Sequence, residues 1–252
     1  MKFTIASVLA TLFFLSGNIA AASDDMYRDA VNNPQRNAAD IARDAARKPA
    51  EVMAFFGIEA GMDVLDMYAG GGYYTELLAI VVGTEGSVTA QSNAATLQFS
   101  GDESAARYSD DRLPNTRVLM AENNKLQLEA NSYDAVTMIL AYHDIYFDDE
   151  SIGWPLIDGP ALLAELHKGM KAGAVLGIVD HNAAPGSPAE TGGTTHRIDM
   201  ELVIREVEAA GFVLDARSDI LRNHSDDYDK SVFDPEIRGK SDRFVLRFRK
   251  PG

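Results

Sequence analysis

Four short stretches of this chain hold groups capable of chemistry. The first is VLDMYAGGGYYTELLA, residues 64–79, where an apolar run ends at the acid Asp66 and Gly70, Gly71 and Gly72 precede a helix-forming segment. Glycine lets main chain come close to a bound molecule, and a helix N-terminus offers free N–H groups to a carboxylate or phosphate. The other three place imidazoles beside carboxylates: His143-Asp144, Asp180-His181, and His196 in THRID. A neutral imidazole near pH 7 suits general-base work, and a neighbouring Asp can orient it. His143, Asp144, Asp180, His181 and His196 are also an N/O donor set for a metal ion. No H-x-x-x-H or H-E-x-x-H spacing occurs, so metal ligation stays open. The acidic run Asp226-Asp227-Tyr228-Asp229 lacks the order of a calcium loop and reads as a solvated loop. The dinucleotide fingerprint G-x-G-x-x-G fails, because Thr75 stands in the third glycine's place. That argues against a nicotinamide-dependent enzyme.

Such groups need a scaffold that gathers them. Apolar runs at 62–68, 87–92, 116–121, 133–140 and 174–180 read as buried strands. Between them, 73–82, 102–112 and 159–173 read as helices, and 198–212 as a further helix ended by Gly211. FVLDARSDI and RFVLRFR supply two last strands joined only by a loop, able to pair antiparallel at one edge. Strands alternating with helices predict a doubly wound, mostly parallel α/β sheet. Ligands of such sheets sit beyond the carboxyl ends of the strands, near the switch point. The glycine loop leaves strand one there, His143 and Asp144 leave strand four, and Asp180 and His181 leave strand five.

Composition narrows the setting. The 252 residues are 46% hydrophobic and 24% charged, which is globular. Lys plus Arg is 23 against 38 for Asp plus Glu, a net charge of -15 that repels phosphate backbones and argues against a nucleic-acid partner. The absence of cysteine excludes disulfides, thiolate nucleophiles and Cys-ligated zinc. Residues 1–22 pair Lys2 with an apolar run and end in Ala20-Ala21-Ala22, the pattern of a signal peptide cleaved before Ser23. The expectation is an exported, periplasmic protein with no stable membrane insertion after cleavage. Residues 23–48 read as a polar N-terminal helical segment, and 49–252 as the main domain opened by Pro49.

VLDMYAGGGYYT resembles the first motif of the class I S-adenosylmethionine-dependent methyltransferases. LMAENNKL (119–126), SYDAVTMILAYHD (132–144) and LLAELHKGMKAGAVLGIVDH (162–181) are similar to that family's third-, fourth- and fifth-strand segments, with Met170-Lys171-Ala172-Gly173 in place of Leu-Lys-Pro-Gly. A narrower likeness is to exported methyltransferases of unassigned substrate. It is carried by AGGGYYTELLA, His143-Asp144, VDH, THRID and RGKSDRFVLRFRKP. Two departures stand out: Tyr68 replaces the usual first glycine, and TAQSNA offers Gln91, Ser92 and Asn93 where an acid normally holds the ribose.

The resemblance implies a seven-stranded Rossmann-like sheet with an antiparallel edge strand, S-adenosylmethionine as cofactor, and methyl transfer to a small-molecule acceptor. It implies cofactor contacts from Asp66 to the ammonium, directly or through water, from Gly70 and Gly72 under the methionine tail, and from Gly71, Thr75 and Ser92. Glu122 and Asn123 are placed near adenine, or on a surface turn. Tyr68, Tyr73 and Tyr74 either bring a ring near the sulfonium or simply pack. His143 is the first candidate base, oriented by Asp144 or Asp180, with His181 and His196 as further candidates. The loop 183–195 is a candidate lid. Arg197 either binds an anionic acceptor or pairs with an acid. Aromatics Tyr142, Tyr146, Phe147 and Trp154 either close over the acceptor or form a satellite cluster. A non-catalytic exported binding protein on the same fold is the alternative function.

Overall fold

The computed structural model describes residues 25–252. The expected signal peptide, 1–22, lies outside the described residues. Residues 25–31 are helical. Helix α1 (Ala38–Arg47) starts where the Asn37 side chain accepts from Ala39 N, and α2 (Pro49–Phe56) starts on proline and ends at Gly57. Then follow β1 (Asp63–Met67), α3 (Tyr73–Val82), β2 (Ser87–Ser92), α4 (Ala94–Tyr108), β3 (Thr116–Met120) and β4 (Tyr133–Ile139). The chain ends with α5 (Gly159–Gly169), β5 (Met170–His181), α6 (Met200–Ala209), β6 (Val213–Ser218) and β7 (Arg243–Arg249). Among the described residues, no helix is long and apolar enough to cross a membrane.

The strands form one sheet in the order β3-β2-β1-β4-β5-β7-β6. β1 to β5 run parallel, and β7 runs antiparallel to both β5 and β6. The antiparallel strand therefore lies one position in from the edge. Burial explains this: β7 is buried along most of its length, whereas β6 alternates exposed and half-buried residues as a one-sided edge strand does. Alternation along the central strands splits the core in two. Leu65, Met67 and Val136 pack toward α5 and α6, while Val64, Ala135 and Val245 pack toward α2 and α3.

Two boundaries differ most from the sequence reading. The helix expected at 102–112 is α4 at Ala94–Tyr108, started by Asn93, whose side chain accepts from Thr96 N. β5 begins at Met170 rather than 174, because Met170 already pairs with Tyr133 before a register shift.

Candidate active site

β1, β4 and β5 are neighbours and parallel, so their carboxyl ends open at one place. A cavity of about 630 Å³ lies there. Tyr68 and Gly70 line it from the loop after β1, Leu140, Ala141, His143 and Asp144 from the segment after β4, and His181 from the tip of β5. His196 closes another side, and Thr96, Phe99 and Ser100 of α4 face it across the glycine loop. Three lining residues other than glycine are left-handed: Tyr68 (φ 53°), Leu140 (φ 59°) and His196 (φ 54°). Such backbone costs about 1–3 kcal/mol each and clusters at functional sites.

The imidazoles are held by long-range contacts. His143 Nδ1 lies 2.7 Å from Asp180 Oδ1, and Asp180 Oδ2 accepts from His143 N at 2.8 Å. His143 Nε2 is 3.3 Å from Asp144 Oδ1. Burial works against a charge on His143, but the carboxylates of Asp180 and Asp144 outweigh it and push the imidazole up to about 10. Burial likewise opposes ionisation of Asp144, yet His143 and His196 hold it down at about 2. His143 therefore keeps its proton at pH 7, which corrects the expectation of a neutral base at that position. His181 is the neutral imidazole. Burial, and then the His143 charge, hold it well below the usual histidine range, and its Nδ1 is 2.6 Å from Ser241 Oγ.

His196 owes its place to Arg197. That arginine is fully buried, donates to both Asp226 oxygens at 2.8 and 3.0 Å, and also reaches the Asn182 and Lys230 carbonyls. It pairs with an acid and does not face the cavity, and Asp226 is buried rather than solvated. The loop 183–195 packs its helical turn Thr191–Thr194 against the backbone of His143 and Tyr146.

The glycine loop divides its attention. A Cβ on Gly70 would meet nothing nearer than 3.8 Å, so its surface is open to the cavity. A Cβ on Gly71 would strike Glu103, and one on Gly72 would lie 2.6 Å from Arg107 Cδ and Tyr108 Oη. Those two glycines accommodate α4 rather than the cavity. Arg107 donates to Gly71 O at 2.5 Å and also pairs with Glu76 and Asp40.

The family of protein-L-isoaspartate(D-aspartate) O-methyltransferases matches residues 22–146, the part that contains the glycine loop and His143. An S-adenosylmethionine-dependent methyltransferase from Aquifex aeolicus superposes with a TM-score of 0.55 at 22% identity, over 92% of this chain and 97% of that one. Another, from Mesorhizobium loti, gives 0.56 at 13% identity, over 82% and 99%. No curated protein matches the chain in sequence.

The chain has the fold of these S-adenosylmethionine-dependent methyltransferase structures.

Part of the contact set expected for S-adenosylmethionine fits this site. Gly70 offers unobstructed main chain. Tyr68 Oη and Asn123 Nδ2 are buried and have no hydrogen-bond partner among the described residues, which leaves polar atoms for a ligand at the ends of β1 and β3. Glu122 Oε1 accepts from Ala94 N at 3.2 Å, so a carboxylate from β3 reaches the end of β2, where β2 itself has none. Trp154, stacked on Tyr68 with centroids 6.0 Å apart, lines the main cavity and also a second one of about 500 Å³ that holds Glu122.

Other predicted contacts are spent internally. Both Asp66 oxygens accept hydroxyls, from Thr75 at 2.7 Å and Thr137 at 2.9 Å, so this acid braces β1 to α3 and β4 instead of meeting an ammonium. Burial pushes Asp66 up to about 6 in spite of those bonds. Thr75 and Ser92 are buried and line no wall of the cavity. Tyr73 donates to Asp44 at 2.5 Å and Tyr74 to the Arg47 carbonyl at 3.4 Å, so both tie α3 to α1. Phe99 and Phe233, 73% and 57% exposed, stand at the cavity mouth, where the sequence reading places neither. Their only sequence signal is an isolated aromatic in a polar stretch.

Proposed function

We propose that this methyltransferase acts on a small, largely apolar acceptor seated in the 630 Å³ cavity, at a heteroatom that must lose a proton. The observation that carries the reading is that glycine-loop main chain and the imidazole cluster open onto one cavity. One part of its wall is apolar and aromatic, from Phe99, Phe147, Trp154, Val232 and Phe233, and faces a polar part formed by the imidazoles, Asp144 and Arg238. S-adenosylmethionine supplies, when bound, a methyl group on positively charged sulfur for in-line displacement. Alignment does much of such work.

The chain's own residues then have distinct tasks. Gly70 leaves room for the cofactor against main chain, and Tyr68 turns a ring to it. His181 takes the proton leaving the acceptor; in the tautomer whose Nδ1–H donates to the Ser241 hydroxyl, 2.6 Å away, its Nε2 carries the free lone pair. Asp144, held ionised, accepts from a donor on the acceptor. His143 locks Asp144 and Asp180 in place as a fixed cation. The reading also takes residues 1–22 as an export signal, making the periplasm the place of action.

A methyl-transfer assay on His181→Ala tests this. The variant should lose ~10²–10⁴-fold in kcat, the usual worth of a general base, with cofactor affinity unchanged. Equal loss of affinity and turnover, or full turnover, would remove His181 from the role.

A further inference from the structure

We propose that His143, Asp144 and His196 bind one divalent transition-metal ion, of the zinc type, on the wall of the acceptor cavity. One donor atom from each lies within 4.8 Å of the other two. His143 Nε2 is 3.3 Å and His196 Nδ1 is 3.5 Å from the same oxygen, Asp144 Oδ1. A tetrahedron with metal–ligand bonds of 2.0–2.1 Å has edges of about 3.4 Å. Two of the three edges already have that length, and only the imidazole–imidazole edge must close.

The surroundings are those of ligands rather than of a lone ion pair. His143 turns its second nitrogen to Asp180 at 2.7 Å, and Asp180 is itself fixed by the backbone N–H groups of His143 and His181. A metal-bound histidine is characteristically supported in this way, by a carboxylate on its other nitrogen. His196 Nδ1 is buried without a hydrogen-bond partner among the described residues. The ring is nevertheless held: Phe233 and Phe147 pack on it at 4.7 and 5.1 Å, and Arg197 anchors the chain beside it in a left-handed conformation at φ 54°. A buried nitrogen that makes no hydrogen bond among the described residues, yet is held 3.5 Å from the Asp144 carboxylate, is placed as a metal ligand requires.

On ion binding His143 gives up its Nε2 proton to solvent, and the divalent cation takes over from the imidazolium in balancing Asp144 and Asp180. Two imidazoles and one carboxylate favour zinc, iron, cobalt or manganese over magnesium or calcium, which prefer all-oxygen sets. Three protein ligands leave a coordination position open, and all three residues line the cavity. An acceptor hydroxyl or thiol bound there would be fixed and acidified beside His181. That assignment of acceptor class rests on the methyltransferase reading; the ion site itself does not.

The test is calorimetric titration of zinc chloride into chelator-stripped protein carrying no histidine tag, with the cobalt(II) absorption spectrum as a second readout. One equivalent should bind with submicromolar affinity, and cobalt should show tetrahedral d–d bands. His196→Ala and Asp144→Asn should each weaken zinc at least 100-fold, and Asp180→Asn by ~10–100-fold, as loss of a supporting carboxylate does. His224→Ala should change nothing. Circular dichroism of each stripped variant shows whether it has folded. Absence of stoichiometric zinc, or undiminished zinc binding by folded His196→Ala, overturns the site. Titration of S-adenosylhomocysteine into the same samples separates the two readings. Zinc bound without any adenosyl binding supports the ion site and overturns the methyltransferase reading; adenosyl binding without zinc does the reverse.

Discussion

Replacing Gly70 by alanine isolates the use of open main chain at the cavity floor. Gly70 has φ 55°, a left-handed conformation that costs an L-residue about 1–2 kcal/mol. Gly57, at the end of α2, has φ 70°, and a Cβ added there would meet no atom within 4 Å, so Gly57→Ala bears the same backbone cost far from the cavity. At Gly70 the new methyl meets Ser100 Oγ and Tyr68 O at 3.8 Å and Thr96 Cγ2 at 3.9 Å, ordinary contacts that add no clash. The two variants should therefore lose similar stability, about 1–2 kcal/mol each by urea denaturation. They should differ in ligand binding. The Gly70 methyl occupies space the cofactor needs, so S-adenosylhomocysteine should bind at least tenfold more weakly, about 1.4 kcal/mol, while Gly57→Ala binds as the native chain does. Calorimetry measures both. Native affinity in Gly70→Ala would refute the argument that this glycine lies under the cofactor.

Three further outcomes follow from the electrostatics. Asp66 is raised from 3.8 to about 6, so its contribution to stability is complete below pH 4 and is lost as pH rises through 6; the native chain minus Asp66→Asn should fall by up to about 3 kcal/mol across that window in urea melts. A flat difference would contradict the burial argument. In chelator-treated protein, nitrogen NMR should show the His143 imidazole protonated through pH 9, since Asp180 and Asp144 hold it up to about 10; an inflection near 6.5 would contradict this. Arg197→Met should destabilise by about 3–5 kcal/mol by leaving Asp226 charged and buried, and adding Asp226→Asn should recover part of the loss. A double variant no more stable than Arg197→Met would show that the pair matters for its packing alone.

The central strands are legible in the sequence because both their faces are buried, which writes them as mostly apolar runs such as VLDM and AVTMI, each interrupted by a single polar residue. Their carboxyl ends then locate the glycine loop, His143-Asp144 and Asp180-His181 at one place without knowledge of any contact. The start of α4 is not legible because its surface carries no apolar stripe: Phe99 is exposed while Ser104 and Arg107 are buried. Charge states are not legible either. His143 depends on Asp180, 37 positions away, and Arg197 on Asp226, 29 positions away, and no local pattern announces such pairs. Asp66 misleads for a related reason, since its hydroxyl partners, Thr75 and Thr137, come from two other elements.

A crystal structure with S-adenosylhomocysteine at saturating concentration tests the central claim most directly. The adenosyl group should lie against Gly70 and Tyr68, with its sulfur turned into the cavity that His181 and Asp144 line. Ligand bound anywhere else on the molecule, or none at all, would contradict it.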